Sequence, residues 1–180
     1  FRQDGELKAN FIKAEKAIAR SLRDPLFQEY MSGEKQVIMT GELFGSKWKI
    51  KMDSYHPGRA IVDLKYMQSL TKFGYLDFVR YWGYDLQGAI YQEIVYQNTG
   101  KRLPFYIAGI SKEEAMNIEV IYIHDNYLKE AMKVIESRMP RILQVKYHGA
   151  KPDRCEQCIW CRDTKVLTKP IGIGDLTASL

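Results

Sequence analysis

Two acidic residues and a lysine raise the first chemical possibility. Asp53 follows the alternating run Trp48-Lys49-Ile50-Lys51-Met52, and Asp63-Leu64-Lys65 stands on the far side of a His56-Pro57-Gly58 turn. If that turn sets Tyr55 opposite Arg59, antiparallel pairing places Asp53 against Ile61 and Lys51 against Asp63. Asp53 and Asp63 then become diagonal neighbours about 7–8 Å apart, near enough for two carboxylates to converge on one divalent cation. Side chains alternate along a strand, so Asp63 and Lys65 share a face, and in this register Asp53 shares it too. Carboxylate oxygens suit Mg2+ or Mn2+, which polarises a phosphoryl oxygen and helps to generate hydroxide. A lysine alongside can orient or deprotonate the water, or neutralise charge developing on phosphate. The D-x-K spacing alone also describes the polar face of any half-exposed strand, so its context has to carry the reading.

A second cluster lies near the C-terminus. Cys155, Cys158 and Cys161 are separated by two-residue gaps, a spacing that suits zinc or an iron–sulfur cluster but supplies only three ligands. His148 is a candidate fourth ligand for zinc; the alternative is a set of free thiols packed against the core. All three cysteines of the chain fall in this segment, which argues against a secreted disulfide framework.

These groups need elements to hold them. Phe11, Ala14, Ile18 and Leu22 recur at helical spacing until Asp24-Pro25 interrupts them, and a second, short helical stretch is expected over residues 26–31. Val37-Ile38-Met39, Trp48 to Met52 and Ala60-Ile61-Val62, separated by turn residues, read as a three-stranded antiparallel meander. From about Leu76 to Gln97 aromatic and aliphatic residues recur at helical intervals, with Gly100 as the stop, so one long central helix is expected. Residues 103–110 and 118–123 are β-rich and extend the sheet, and Asp125 caps a helix with Leu128, Met132, Ile135 and Met139 on one face. Tyr81, Trp82, Tyr84, Tyr91 and Tyr96 make the central helix aromatic; they can stack unpaired bases, but the simpler expectation is that most are core.

The chain has 180 residues, 46% of them hydrophobic, enough for one substantial core, so a single domain over residues 1–180 is expected, with a cysteine-bearing segment at 148–165. Because it starts at Phe1 rather than Met, it reads as a fragment lacking N-terminal residues. Its 27 basic against 22 acidic residues give a net charge of +5, which favours a polyanionic partner without naming one. Lys47, Lys49, Lys51, Arg59 and Arg80 are candidates for tracking phosphates. No apolar run approaches a membrane span and no signal-peptide core is present, so a cytoplasmic location is expected.

Taken in order, Asp53, then Asp63-Leu64-Lys65, then Gln87 and Tyr91 on a following helix, resemble the PD-(D/E)XK nucleases. The match over roughly residues 36–165 is nearest to the branch containing the RecB nuclease domain, cysteine-bearing CRISPR-associated exonucleases, lambda exonuclease and RecE-type exonuclease VIII. The resemblance implies an α/β restriction-endonuclease-like core, a mixed central sheet with an antiparallel meander flanked by helices. It also implies a Mg2+- or Mn2+-dependent deoxyribonuclease, an exonuclease acting on DNA ends in phage or prophage recombination. Asp53 and Asp63 would be metal ligands, Lys65 the catalytic lysine, and Gln87 and Tyr91 a helix pair supporting the site and contacting nucleic acid. A homo-oligomeric ring and a single-strand annealing partner belong to the same analogy. Met52 stands where the eponymous proline would be. Many relatives add an acidic residue or histidine from an upstream helix, for which Glu15 and Glu29 are candidates and Glu42 a weaker one. Iron–sulfur relatives add a fourth cysteine from well upstream, absent from residues 1–154. The rival readings are a catalytically silent DNA-binding relative and a zinc-dependent interaction module.

Overall fold

A Pro-Gly turn decides the register on which the site depends. The computed structural model describes residues 8–70, 75–170 and 172, with the side chains of residues 75–77 outside that description. Helices α1 (Ala9–Ser21) and α2 (Pro25–Tyr30) precede strands β1 (Glu34–Leu43), β2 (Ser46–His56) and β3 (Ala60–Met67). His56 O accepts from Arg59 N–H at 2.9 Å while Gly58 takes φ +71°, so Pro57 and Gly58 are the two central residues of a type II turn. Arg59 adds a third loop residue, and the ladder closes on His56 opposite Ala60 and continues as Tyr55 opposite Ile61 and Ser54 opposite Val62. The expected pairing of Asp53 with Ile61 and Lys51 with Asp63 is corrected by two residues. A two-residue shift preserves the face of every side chain, so Asp53 still shares a side with Asp63, directly across from it rather than diagonally.

The remaining elements are helices α3 (Tyr75–Trp82) and α4 (Tyr84–Thr99), strands β4 (Phe105–Ser111) and β5 (Ile118–Ile123), and helices α5 (Asp125–Tyr147) and α6 (Ile159–Asp163). The single central helix expected from the sequence is two, because Gly83 sits between α3 and α4 at φ +66°, a left-handed conformation that ends one helix and starts another. All five strands form one mixed sheet in the order β1-β2-β3-β4-β5, with β3 and β4 parallel and the other neighbours antiparallel. This is the mixed sheet with an antiparallel meander that the sequence implied.

Residues Phe1–Pro140 form one compact unit and Arg141–Leu180 a second. In the first, Ala17 of α1 and Phe27 of α2 pack with Ala60, Val62, Ala108 and Ile110 on one face of the sheet. The helical spacing that marked α1 does not give a buried stripe: only Ala17 is buried on this helix, and Phe11 and Ile18 are exposed. Ala14, Ile18 and Leu22 instead line a groove of about 470 Å3 with Leu64, Tyr66 and Ile110. On α5 the buried stripe is Leu128, Ala131, Ile135 and Met139, with Ala131 in the place expected for Met132. Buried Gln92 donates to Leu103 O at 2.9 Å and to Asp125 at 3.3 Å, which ties α4 to the one end of the β4–β5 pair where β4 begins and β5 ends. Among the described residues no helix is long and apolar enough to cross a membrane.

Candidate active site

Asp63 is the pivot of the site, because burial and hydrogen bonding act on its two oxygens differently. It lies in the middle of β3, whose parallel pairing with β4 sets it beside Ile107, and it is 3% exposed. Oδ1 accepts from Gln87 Nε2 of α4 at 2.8 Å. Oδ2 lies 2.6 Å from Lys65 Nζ as a charged pair, so each oxygen of this buried carboxylate meets one donor and keeps a second lone-pair direction. Burial pushes the Asp63 carboxyl above the ordinary carboxylate range; Lys65 opposes the shift, and the neighbouring charge of Asp53 adds to it.

Asp53 stands where β2 and β3 separate. Beyond the Ser54–Val62 pair the ladder is replaced by a side-chain bond, in which Asp53 Oδ2 accepts from Leu64 N–H at 2.9 Å. Its Oδ1 accepts from Gln36 Nε2 of β1 at 2.8 Å. Gln36 has φ +56°, a left-handed conformation that costs a non-glycine residue about 1–2 kcal/mol. The β1–β2 ladder pairs Lys35 with Ser54 and Val37 with Met52 but omits Gln36 and Asp53 between them.

Helix α4 supplies the second wall. Tyr84, Gln87, Gly88 and Tyr91 recur at three- and four-residue intervals and so project from one helical face. The Tyr84 ring lies beneath Lys65, with Nζ 4.8 Å from its centroid. Gln87 holds Asp63, and Tyr91 donates its hydroxyl to Lys51 O at 2.9 Å while meeting Phe105 edge-on. The helix approaches closely because Gly88 has no side chain: a Cβ there would stand 2.5 Å from the buried ring of Phe105. All five residues singled out on the sequence, Asp53, Asp63, Lys65, Gln87 and Tyr91, thus fall in one connected neighbourhood. Two participants were missed. Tyr84 carried a signal, three residues before Gln87 on the same face; Gln36 carried none, since its role depends on a backbone conformation that glutamine seldom adopts.

The candidates for a further ligand do not join this group. Among the described residues no third histidine, cysteine or carboxylate clusters with Asp53 and Asp63 at ligand distances. Glu29 is ion-paired with Arg59, the exposed Glu42 is paired across the ladder with Lys47, and Glu15 is an exposed residue of α1. Arg80 faces Glu130, whereas Lys47, Lys49 and Lys51, alternating exposed residues of β2 that lead toward Asp53, form no salt bridge among the described residues. The aromatic residues are less buried than expected: Tyr81, Trp82 and Tyr96 are exposed, whereas Tyr84 and Tyr91 are half-buried at the site.

The donor set fits a divalent cation. Two carboxylates stand opposite one another on adjacent strands, and each carboxylate oxygen keeps a second lone-pair direction beyond the one donor it meets. In the second compact unit the sulfurs of Cys155, Cys158 and Cys161 all lie within 4.8 Å of one another, and Cys155 and Cys161 are 3.8 Å apart. Backbone N–H groups of Gln157 and Cys158 directed at Cys155 bring its thiol down to about 7. His148 is not a member of this cluster.

The family described as "PDDEXK-like domain of unknown function (DUF3799)" matches residues 1–164. A crystal structure from Eubacterium rectale, of a protein described as a candidate exonuclease, is 63% identical with a TM-score of 0.85, covering 100% of this chain and 70% of that one. No curated protein matches the chain.

Proposed function

The chain belongs to the PDDEXK-like domain family, and from that premise we propose that it is a divalent-metal-dependent DNA nuclease hydrolysing phosphodiester bonds. The observation that carries the reading is the buried Asp63 carboxylate, which Lys65 pairs at one oxygen and Gln87 binds at the other, with the Asp53 carboxylate on the adjacent strand beside it. Asp53 and Asp63 would hold Mg2+ or Mn2+, an ion that supplies Lewis-acid polarisation of the phosphodiester and acidifies water. The rest of the reading concerns the chain's own groups. Lys65 Nζ sits 2.6 Å from Asp63, over the Tyr84 ring, and is placed to neutralise developing phosphate charge or to hold a proton of the attacking water. Gln87 keeps Asp63 in one rotamer, and Tyr91 fixes the β2 backbone two residues before Asp53. Lys47, Lys49 and Lys51 would meet successive phosphates of the strand led toward the site.

We extend the reading to an exonuclease, supported by the similarity to the Eubacterium rectale protein, and, on the sequence resemblance alone, to one of phage or prophage recombination that requires a DNA end. A homo-oligomeric ring would enforce that requirement, and a single-strand annealing protein would be the natural recipient of its product. The test compares linear duplex with covalently closed circles in Mg2+. Linear DNA should be degraded and circles spared, and folded Asp63→Asn should be inactive on both. Equal cutting of both forms removes the exonuclease assignment; normal cleavage by Asp63→Asn removes the nuclease site, and a folded wild type that binds DNA without cleaving it favours the silent relative. The thiol cluster favours a second, separate reading, a zinc or iron–sulfur site at Cys155, Cys158 and Cys161 that organises the C-terminal segment.

A further inference from the structure

Gln36 stands out among the strained positions of the molecule. Of the three non-glycine residues with positive φ among the described residues, Phe44 lies in the β1–β2 turn next to Gly45, also at positive φ, where such geometry closes a hairpin. Glu156 lies in the cysteine loop. Gln36 is inside a ten-residue strand, where no change of chain direction calls for a left-handed residue. The conformation also interrupts the ladder, since pairing is present on both sides of it and absent at Gln36 and Asp53. A backbone departure of this kind persists only when something else over-determines it, and such departures collect at functional sites.

What the departure achieves is visible at Asp53. Gln36 Nε2 reaches Oδ1 at 2.8 Å, and Leu64 N–H reaches Oδ2 at 2.9 Å from the opposite strand. One donor on each oxygen, from strands on either side, fixes both the rotamer and the plane of the carboxylate. Each oxygen keeps a second lone-pair direction for another ligand. Without Gln36 the group would be held through Leu64 alone, at the point where β2 and β3 have already parted, and it could turn about that single bond. Gln36 itself is exposed, so its bond to Asp53 competes with water and adds little to folding; its effect is on direction.

We infer that Gln36 is a positioning residue for Asp53, a strained donor that orients this carboxylate toward Asp63 for cation binding. The inference rests on the nuclease reading above and adds a residue to it. Partners that orient a metal-binding side chain are commonly worth 10–100-fold in metal affinity, roughly the size of effect to look for here.

Gln36→Gly separates the two things the residue does, because glycine adopts a positive φ freely while the amide is lost. Its melting temperature should equal or exceed that of the parent. Mn2+ binding, measured by calorimetry without DNA, should weaken by about 10-fold or more. The cleavage defect should shrink as Mn2+ is raised. Gln36→Asn tolerates the same backbone but carries its amide one carbon short, and it should show the same loss. Mn2+ affinity within two-fold of the parent in folded Gln36→Gly overturns the inference, as does a fall in melting temperature with Mn2+ binding unchanged. If the parent itself shows no Mn2+ binding that Asp63→Asn removes, the nuclease reading fails first and takes this one with it.

Discussion

Gly88→Ala tests whether the approach of α4 to the sheet sets the geometry of the site. The added Cβ would stand 2.5 Å from Phe105 Cδ1 and 2.9 Å from Leu128 Cδ2, where ordinary contact begins at 3.4 Å. Phe105 is 0% exposed and Leu128 2%, so neither side chain has space to retreat into, and the helix must withdraw by about 0.9 Å instead. Overpacking of this kind destabilises by about 1–3 kcal/mol, and the better helix propensity of alanine returns about 0.5–1 kcal/mol. The net loss of about 0–2.5 kcal/mol lowers the melting temperature by up to roughly 10 °C for a domain of this size. Gln87 is the next residue, and the same withdrawal stretches its 2.8 Å bond to Asp63 to about 3.7 Å, past hydrogen-bonding range. Misplacement by about 1 Å can lower catalytic rate by about 10²-fold, so cleavage should fall far more than stability. Thermal melts followed by circular dichroism and Mg2+-dependent digestion of end-labelled linear DNA read the two effects separately. A Gly88→Ala protein that melts at or above the parent temperature and digests DNA at the parent rate would show that close packing at Gly88 does not govern the site.

Replacing Lys47, Lys49 and Lys51 by alanine should weaken binding of catalytically inactive Asp63→Asn protein to DNA, and the slope of log affinity against log salt should fall by about 0.9 per lysine on duplex or about 0.7 on single strands. An unchanged slope removes the β2 row from the DNA path. Protein purified without chelator should carry close to one equivalent of zinc or an iron–sulfur cluster, and substitution of Cys158 by serine should abolish it while Asp63→Asn leaves it intact; metal-free, folded protein leaves the three sulfurs as ordinary thiols.

The parts of this architecture that depend on periodicity were legible in the amino-acid sequence. The meander, both later strands and α5 follow from alternation and helical spacing. The errors came where a single backbone conformation outweighed pattern. Gly83 divides a stretch whose side chains keep helical spacing across it, and the pattern cannot reveal a left-handed φ at one residue. At the β2–β3 turn Pro57-Gly58 specified a type II turn, yet centring the hairpin one residue early moved every cross-strand pair. The error did no harm to the site because two residues is one full strand period, and Asp53 stayed on the face of Asp63 and Lys65. Amphipathic spacing in α1 marked a helix correctly but not a buried face, since Phe11 and Ile18 remain exposed.

The site is placed where regular pairing stops. A continuous β2–β3 ladder would engage the Leu64 N–H with backbone; here Asp53 accepts it, which anchors one carboxylate directly across from the other. A fork of this kind leaves backbone groups to be satisfied and strands to be held apart, and α4 meets part of both needs through Tyr91 on Lys51 O and Gln87 on Asp63. Gly88 lets the helix come near enough to do so, and Gln36 accepts backbone strain to complete the hold on Asp53. Each of these features is unfavourable or neutral for folding alone: a buried carboxylate, a helical glycine and a left-handed glutamine. Their convergence within one neighbourhood is what a binding centre requires and a purely structural strand junction does not, so stabilising the fold at Asp63 or Gln36 should come at the expense of cation binding.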